Sequence, residues 1–387
     1  MPAQFSRVRK VLFGTTVGVS ARAFLTGHIE KLAGPGLHIS VVCEDDGEMV
    51  EWAHSLGIEY VSLPMRRDPD PVRDLISLGR LISIVRQLKP DLVVFGTPKA
   101  GLLGMLGSWF CGVRLRVYVV HGLRFQTARG LYRWVLIQLE KLSIRLATTV
   151  LCVSESIQSE LAANGVAVSR VSVPGYGSIA GVDTDKFDVV SFAERRAARA
   201  EVGLSGCERV YLFVGRVQAD KGISLLADLA VLIERDDPSS LLVIVGPYEG
   251  GRSDAEAYRA LEESPNVRLV GRVDDVRPFL WSASVLLLPS GREGLPISLI
   301  EAGACGVPVV ATPVTGCVDV VDNDVVGELI PASDPEVWLQ TARKLATAAD
   351  HPDRREAIRK YTRRKYDMDR VCETWAAAYR DLIGIPS

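Results

Sequence analysis

The sequence has little that would tie it to a metal, a disulfide framework or the interior of a bilayer. Its seven cysteines (43, 111, 152, 207, 305, 317 and 372) are odd in number and never fall in CxxC spacing. That pattern argues against a zinc site or a disulfide frame and for reduced thiols in the cytoplasm. Only five histidines occur, and none stands beside the Asp-x-Asp triplets DPD, DTD, DND and DMD, so no metal cluster is expected. Apolar runs are short: the longest, from Ala100 to Val113, is about fourteen residues, under the ~20 that crossing a bilayer takes. Repeats and low-complexity tracts are absent. The opening MPAQFSRVRKVLFGTT is basic but passes straight into a strand-like run, so no signal peptide is expected. A soluble or membrane-peripheral protein remains, with no nucleic-acid partner expected.

The composition is that of a globular chain, 48% hydrophobic and 24% charged over 387 residues. That length is too great for one core and points to two domains. The net charge of −2 hides an asymmetry, because the chain through Val182 carries 20 Lys/Arg against 14 Asp/Glu and the remainder 25 against 33. The first half is therefore the one suited to an anionic surface or acceptor.

Short β-branched runs alternate with helical patterns in that half: VRKVLFGTT, LHISVVCE, IEYVSLP, DLVVFGT, LRVYVVHG, TTVLCVS and VSRVSVPG. Strands apolar on both faces and separated by helices indicate a parallel sheet covered on each side. After GVDTDKFDVVSF the pattern restarts with RVYLFVGR, LLVIVGP, VRLVG, SVLLLP, VPVVAT and GELIP. The α/β reading is two doubly wound domains, 1–182 and 183–365. A closing amphipathic helix within 366–387 is expected to pack back on the first. Ligands of such sheets sit at the carboxyl ends of the strands, so two facing domains would enclose a cleft.

Several residues at strand ends have chemical potential. Arg216 and Lys221, in VGRVQADKG, follow a strand and precede a helix; they form either a diphosphate-type anion site or an ordinary solvated loop. In GREGLPISLIEAGACG, Glu293 precedes a helix and Glu301 lies inside it among apolar residues. Either both acids accept hydrogen bonds from one hydroxyl-rich ligand, or Glu293 is a favourable N-terminal acid and Glu301 faces solvent. Gly18 ends TTVG before a helix and would let a phosphate approach, though taken alone a plain turn explains it better. Without the three glycines of the dinucleotide fingerprint, a nicotinamide enzyme is disfavoured. His121, in VYVVHGLRF, ends a buried strand, where a histidine is either structural or aimed at a ligand. The histidines at 28, 38, 54 and 351 have no partner pattern and read as structural.

Together these motifs resemble the retaining glycosyltransferases of family 4, in their capsular-polysaccharide branch. The resemblance runs almost end to end, through KVLFGTTVGVSARAFL, GTPKAGLLGMLGSWFCGVRLRVYVVHGL, PGYGSIAGVDTDKFD, FVGRVQADKGISLL and RLVGRVDDVRPFLWSASVLLLPSGREGLPISLIEAGACGVPVVAT. It implies the GT-B fold, two facing Rossmann-like domains, and no cofactor beyond a nucleotide sugar, expected to be a UDP-sugar, as co-substrate. It implies that Arg216 and Lys221 hold the diphosphate, Glu293 the donor-sugar hydroxyls and Glu301 the ribose hydroxyls. The backbone of Gly294, Leu295 and Pro296 would contact sugar and phosphate. Arg272 and Val273 would bracket the base through main-chain atoms, Gly18 would lie under the diphosphate, and His121 near sugar and acceptor. Retention on one face needs no protein nucleophile, unlike the carboxyl pair of a glycosidase. The implied acceptor is a polyprenyl-diphosphate-linked saccharide in surface polysaccharide assembly, at the inner face of the cell membrane. Many members carry a small residue after HGL; here Arg124 follows, which leaves its role and the acceptor's identity open.

A sugar-nucleotide 2-epimerase shares this architecture but needs acids and histidines arranged for proton abstraction. A catalytically silent nucleotide-sugar-binding partner is the reading from another class. Between Val113 and Ala147, seven Lys/Arg and the single acid Glu140 are interleaved with Phe125, Leu131, Tyr132, Trp134, Val135 and Leu139. That mixture fits an interfacial segment on anionic lipid, or a helix whose apolar stripe simply packs on its sheet.

Overall fold

The computed structural model describes residues 8–66, 70–349 and 351–385. Residues 1–7, on which the signal-peptide reading rests, and Asp68 of the DPD triplet lie outside them. The chain forms two compact units, one from residues up to Gly181 together with those from Met368, the other Val182–Asp367.

The first unit is built on seven strands: β1 (Arg9–Val17), β2 (Leu37–Glu44), β3 (Glu59–Ser62), β4 (Leu92–Gly96), β5 (Leu115–Val120), β6 (Thr149–Cys152) and β7 (Val171–Ser172). They lie in the order β3-β2-β1-β4-β5-β6-β7, every neighbouring pair parallel. All of LVVFG in β4 is buried, as expected of a strand covered on both faces. The second unit has β8 (Val210–Val214), β9 (Leu241–Val245), β10 (Val267–Gly271), β11 (Val285–Leu288), β12 (Val309–Ala311) and β13 (Gly327–Leu329). Their order is β10-β9-β8-β11-β12-β13, again wholly parallel.

Each sheet reverses its winding beside its first strand, at β1/β4 and at β8/β11. Helices after those strands leave on opposite faces, so their loops part at the carboxyl edge and open a crevice. The sequence-level strands and the two doubly wound layers are therefore the observed architecture.

The last helix, Met368–Ile383, belongs to the first unit. Trp375 and Tyr379 are fully buried there. Tyr379 meets Phe13 of β1 edge-on at 5.4 Å, and the Trp375 indole donates to the Ser178 carbonyl at 2.8 Å. His28, from the Gly18–Leu32 helix, stacks on Trp375 at 5.2 Å and meets the Ile179 carbonyl at 2.5 Å. Burial pulls its pKa down to about 4, so it is a neutral packing residue. In the second unit, the points where the chain enters and leaves are tied together. Val182 N–H donates to the Tyr366 carbonyl at 2.9 Å, and the Thr184 hydroxyl donates to Asp367 at 2.5 Å.

Candidate active site

At the β8/β11 switch point three loops are held against one another. The chain leaves β8 through Gly215 and Arg216, makes a short turn at Ala219–Lys221, and enters the helix Ile223–Asp236 from Gly222 at φ 76°. A Cβ on Gly222 would overlap the Pro289 carbonyl, so both backbone hand and space demand glycine here. That close approach brings the loop onto the segment after β11, where Gly291 N–H donates to the Asp220 carbonyl at 2.9 Å and Arg292 pairs with Asp220 at 2.7 Å. The loop after β12 closes the group: the Thr315 hydroxyl donates to the Glu293 carbonyl at 2.8 Å.

At the centre, Lys221 Nζ lies 2.5 Å from Glu293 Oε1, and Ser290 Oγ donates to the same oxygen at 2.7 Å. Both partners of the ion pair are mostly buried, at 17% and 11% side-chain exposure. Removing either would leave an uncompensated charge. Sequence reasoning put these two residues on one ligand but did not foresee their direct contact. It also missed Ser290, Thr315 and Gly222; the left-handed glycine between a 3-10 turn and a helix was the one available signal.

Leu295 and Pro296 are buried, and Pro296 starts the helix Ile297–Ala304 with no side-chain cap. First-turn amides of a helix have no internal acceptor, so its positive end is presented at the switch point. Glu301 follows one turn in, flanked by Leu299, Ile300, Ala302 and Gly303, all buried. No side chain among the described residues bonds its carboxyl, and burial pushes its pKa up to about 7. Although part of the residue stays accessible, it is not the freely solvated acid that one sequence reading allowed.

The remaining residues singled out in this unit are more open. Arg216 pairs with Glu249 at 2.9 Å, with about 44% of its side chain exposed. Arg272 is exposed and Val273 half-buried, just beyond β10. Glycine 246 N–H donates to the Gly271 carbonyl at 2.8 Å, tying the end of β9 to that segment.

In the first unit the corresponding edge gathers Gly18, Thr97, His121 and Arg124. Gly18 opens the helix Gly18–Leu32. A Cβ there would stand 2.5 Å from the Asp46 carboxylate, which pairs with Arg22 at 2.7 Å. Asp46, absent from the sequence reading, thus occupies the amide end of that helix, a favourable place for an acid. Thr97 takes φ 65° at the end of β4, a costly conformation for a β-branched residue and one found at functional sites. Its hydroxyl meets that of Thr16 at 2.7 Å. His121 stacks on Phe24 at 4.9 Å; burial lowers its pKa to about 4, so it works as a neutral imidazole.

Among the described residues no group of three or more His, Cys, Asp or Glu side chains is placed to hold a metal ion. Acids of the Asp-x-Asp triplets serve ion pairs instead: Asp183 with Lys186, Asp322 with Lys365 and Asp369 with Lys31.

Residues 194–365 match the family described as glycosyl transferases group 1, and residues 21–177 match the glycosyl transferase 4-like domain. The capsular polysaccharide biosynthesis glycosyltransferase CapM of Staphylococcus aureus is 30% identical over 97% of this chain and 98% of its own. The chain belongs to the group 1 glycosyltransferases. This glycosyltransferase is also 25% identical, over 80% of both chains, to the UDP-Gal:alpha-D-GlcNAc-diphosphoundecaprenol alpha-1,3-galactosyltransferase of Escherichia coli. Among solved structures it is similar to sucrose-phosphate synthase from Thermosynechococcus elongatus (TM-score 0.80, 21% identity, 97% and 100% of the chains). Anabaena HepE in complex with UDP-glucose is likewise similar (TM-score 0.77, 19% identity, 96% and 99%). The fold is that of GT-B enzymes, with two Rossmann-like parallel-sheet domains.

Proposed function

We propose that this glycosyltransferase moves a hexose or N-acetylhexosamine from a UDP-sugar to a lipid-linked saccharide, with retention at the transferred carbon and without a metal ion. The observation that carries this reading is the Lys221–Glu293–Ser290 cluster beside an uncapped helix start, with Glu301 one turn further in. Breaking the bond between sugar carbon and phosphate oxygen leaves new negative charge on the diphosphate. Lys221, with Arg216, the backbone N–H groups of Gly294 and Leu295 and the first-turn amides of the helix Ile297–Ala304, is preorganised to stabilise that charge. Glu293, once a diphosphate draws Lys221 away, accepts from the sugar hydroxyls, and Glu301 accepts from the ribose. The family resemblance assigns Arg272 and Val273 to the base, Gly18 to the diphosphate and neutral His121 to hydrogen bonding near sugar and acceptor. The UDP-glucose held by HepE and the diphosphoundecaprenol acceptor in the name of the E. coli relative support the choice of donor and acceptor class.

A panel of UDP-sugars incubated with purified protein should show slow UDP release in the presence of EDTA. A strict requirement for a divalent cation would overturn the metal-free mechanism. Release from no nucleotide sugar, with UDP still bound, would instead indicate a non-catalytic partner.

On this reading the enzyme works at the cytoplasmic face of the membrane, and the exposed apolar residues of the helix Gly130–Leu146 support peripheral attachment there. Only Ser143 and Ile144 of that helix are buried, whereas Leu131, Tyr132 and Trp134 are 76%, 54% and 58% exposed. A helix that merely packed its apolar stripe on the sheet would hide these residues. Two members of the sequence-level set do not belong to the exposed face: Phe125 is buried under the Arg133 guanidinium, and the Glu140 carboxyl faces inward to Tyr118. With the acid withdrawn, Arg129, Arg133, Lys141 and Arg145 meet anionic headgroups, each contributing ~1 kcal/mol near the surface. Co-sedimentation with anionic vesicles, but not neutral ones, is expected and should weaken in high salt. Equal recovery in every supernatant would sink the attachment.

A further inference from the structure

We infer that the apolar cavity enclosed by the helices Pro71–Leu88, Pro98–Phe110 and Gly130–Leu146 receives the first isoprene units of a polyprenyl-diphosphate acceptor, with Arg124 and Lys99 at its diphosphate. The inference rests on the transferase reading above and adds where the lipid end of the acceptor is held. The cavity has a volume of about 270 Å³ and walls that include Leu102, Leu103, Phe125, Val135, Leu136 and Leu139. It opens at the carboxyl edge of the first sheet, the edge that carries His121. Lys99 stands in the first turn of its helix, 11% exposed and paired with Asp74 at 2.7 Å. Arg124 is exposed and has no ion-pair partner among the described residues, so the mouth keeps an uncompensated positive charge.

A ligand for this site needs an anionic head and a branched apolar chain. The chain must also leave the cavity, and its exit is apolar: Tyr132, Val135 and Leu139 line the cavity and are exposed, and Leu131 and Trp134 continue the surface beyond. A long isoprenoid can thus pass from cavity to bilayer without crossing bare water, which a short soluble anion would not require. Glu140 does not spoil the apolar wall. Its carboxyl accepts the Tyr118 hydroxyl at 2.9 Å, and burial holds its pKa up at about 7. This residue therefore sits at the cavity as a hydrogen-bonded group that burial keeps partly protonated near neutral pH.

The test is binding of farnesyl diphosphate, inorganic diphosphate, farnesol and laurate to the full chain, with UDP binding as the control for folding. Farnesyl diphosphate should bind at least tenfold more tightly than inorganic diphosphate. Leu136→Trp, which fills the cavity, should lose that advantage and keep UDP affinity. Arg124→Ala should weaken farnesyl diphosphate and leave farnesol unchanged. If Leu136→Trp does not fold, Leu139→Asp on the exposed rim challenges the same wall. Equal binding of the two diphosphates, undiminished binding by both wall variants, or laurate binding as tightly as farnesyl diphosphate would overturn the assignment. If farnesyl diphosphate binds as expected but no sugar is transferred to a lipid-linked acceptor, the transferase reading falls and the cavity stands. If Leu136→Trp transfers sugar to that acceptor as well as the native enzyme, the reverse holds.

Discussion

Lys221→Ala is expected to lower turnover by about 10²-fold or more, and Arg216→Ala similarly, because each removes a preorganised cation from the charge that develops on the leaving diphosphate. The two variants should differ in binding. Arg216 is exposed and pairs with Glu249, so its loss frees only a solvated acid. Lys221 neutralises Glu293 at 2.5 Å in a mostly buried setting, so its loss leaves a carboxylate with no cation where an anionic donor must enter. Lys221→Ala should therefore weaken UDP binding more than Arg216→Ala does. Adding Glu293→Gln to Lys221→Ala should restore part of that affinity without restoring kcat. Single-turnover kinetics and UDP titrations on the four proteins check this; near-normal kcat in both single variants would remove the cations from the mechanism.

The doubly wound layers were legible because their strands are buried on both faces and therefore appear as unbroken apolar runs, as in LVVFG and VYLFV. Strand β7 was harder to bound, since VSRVSVPG contributes only Val171–Ser172 to the ladder. The site was legible as a set of residue types at strand ends. Its wiring was not, because Lys221 and Glu293 are 72 positions apart and only the β8/β11 adjacency unites them. Glu301 was visible as an anomaly, an acid inside an apolar helix. Glu140 stood out as the single acid of its basic segment, but its inward direction was not read, although Leu136, Ser143 and Ile144 at helical spacing mark its face as the inner one. What placed it there is Tyr118 on β5, a contact that no local pattern encodes.

Glu301→Gln is expected to weaken nucleotide binding by about 10–100-fold, the loss that follows when a charged acceptor of two hydroxyl hydrogen bonds becomes a neutral one. Glu293→Gln should instead reduce sugar turnover and leave UDP affinity nearly unchanged. The pH dependence separates the two further. Burial raises the Glu301 pKa from its ordinary 4.5 to about 7, so below pH 7 the free protein favours the protonated form, while the ribose is best bound by the carboxylate. Affinity should thus rise as pH rises through about 7 in the native protein and stay flat in Glu301→Gln. Uridine is the better probe, because a terminal phosphate itself ionises near pH ~6. Stability runs the other way. A carboxyl whose folded pKa is raised contributes fully below its unfolded value of 4.5, and that contribution is lost as pH climbs towards 7. Without ligand, Glu301→Gln should therefore match the native Tm at pH 4.5 and exceed it at pH 8. Uridine affinity that does not change between pH 6 and 8 would show that Glu301 does not face the ribose, and equal loss of UDP binding in both glutamate variants would show that the two acids do not divide the roles in this way.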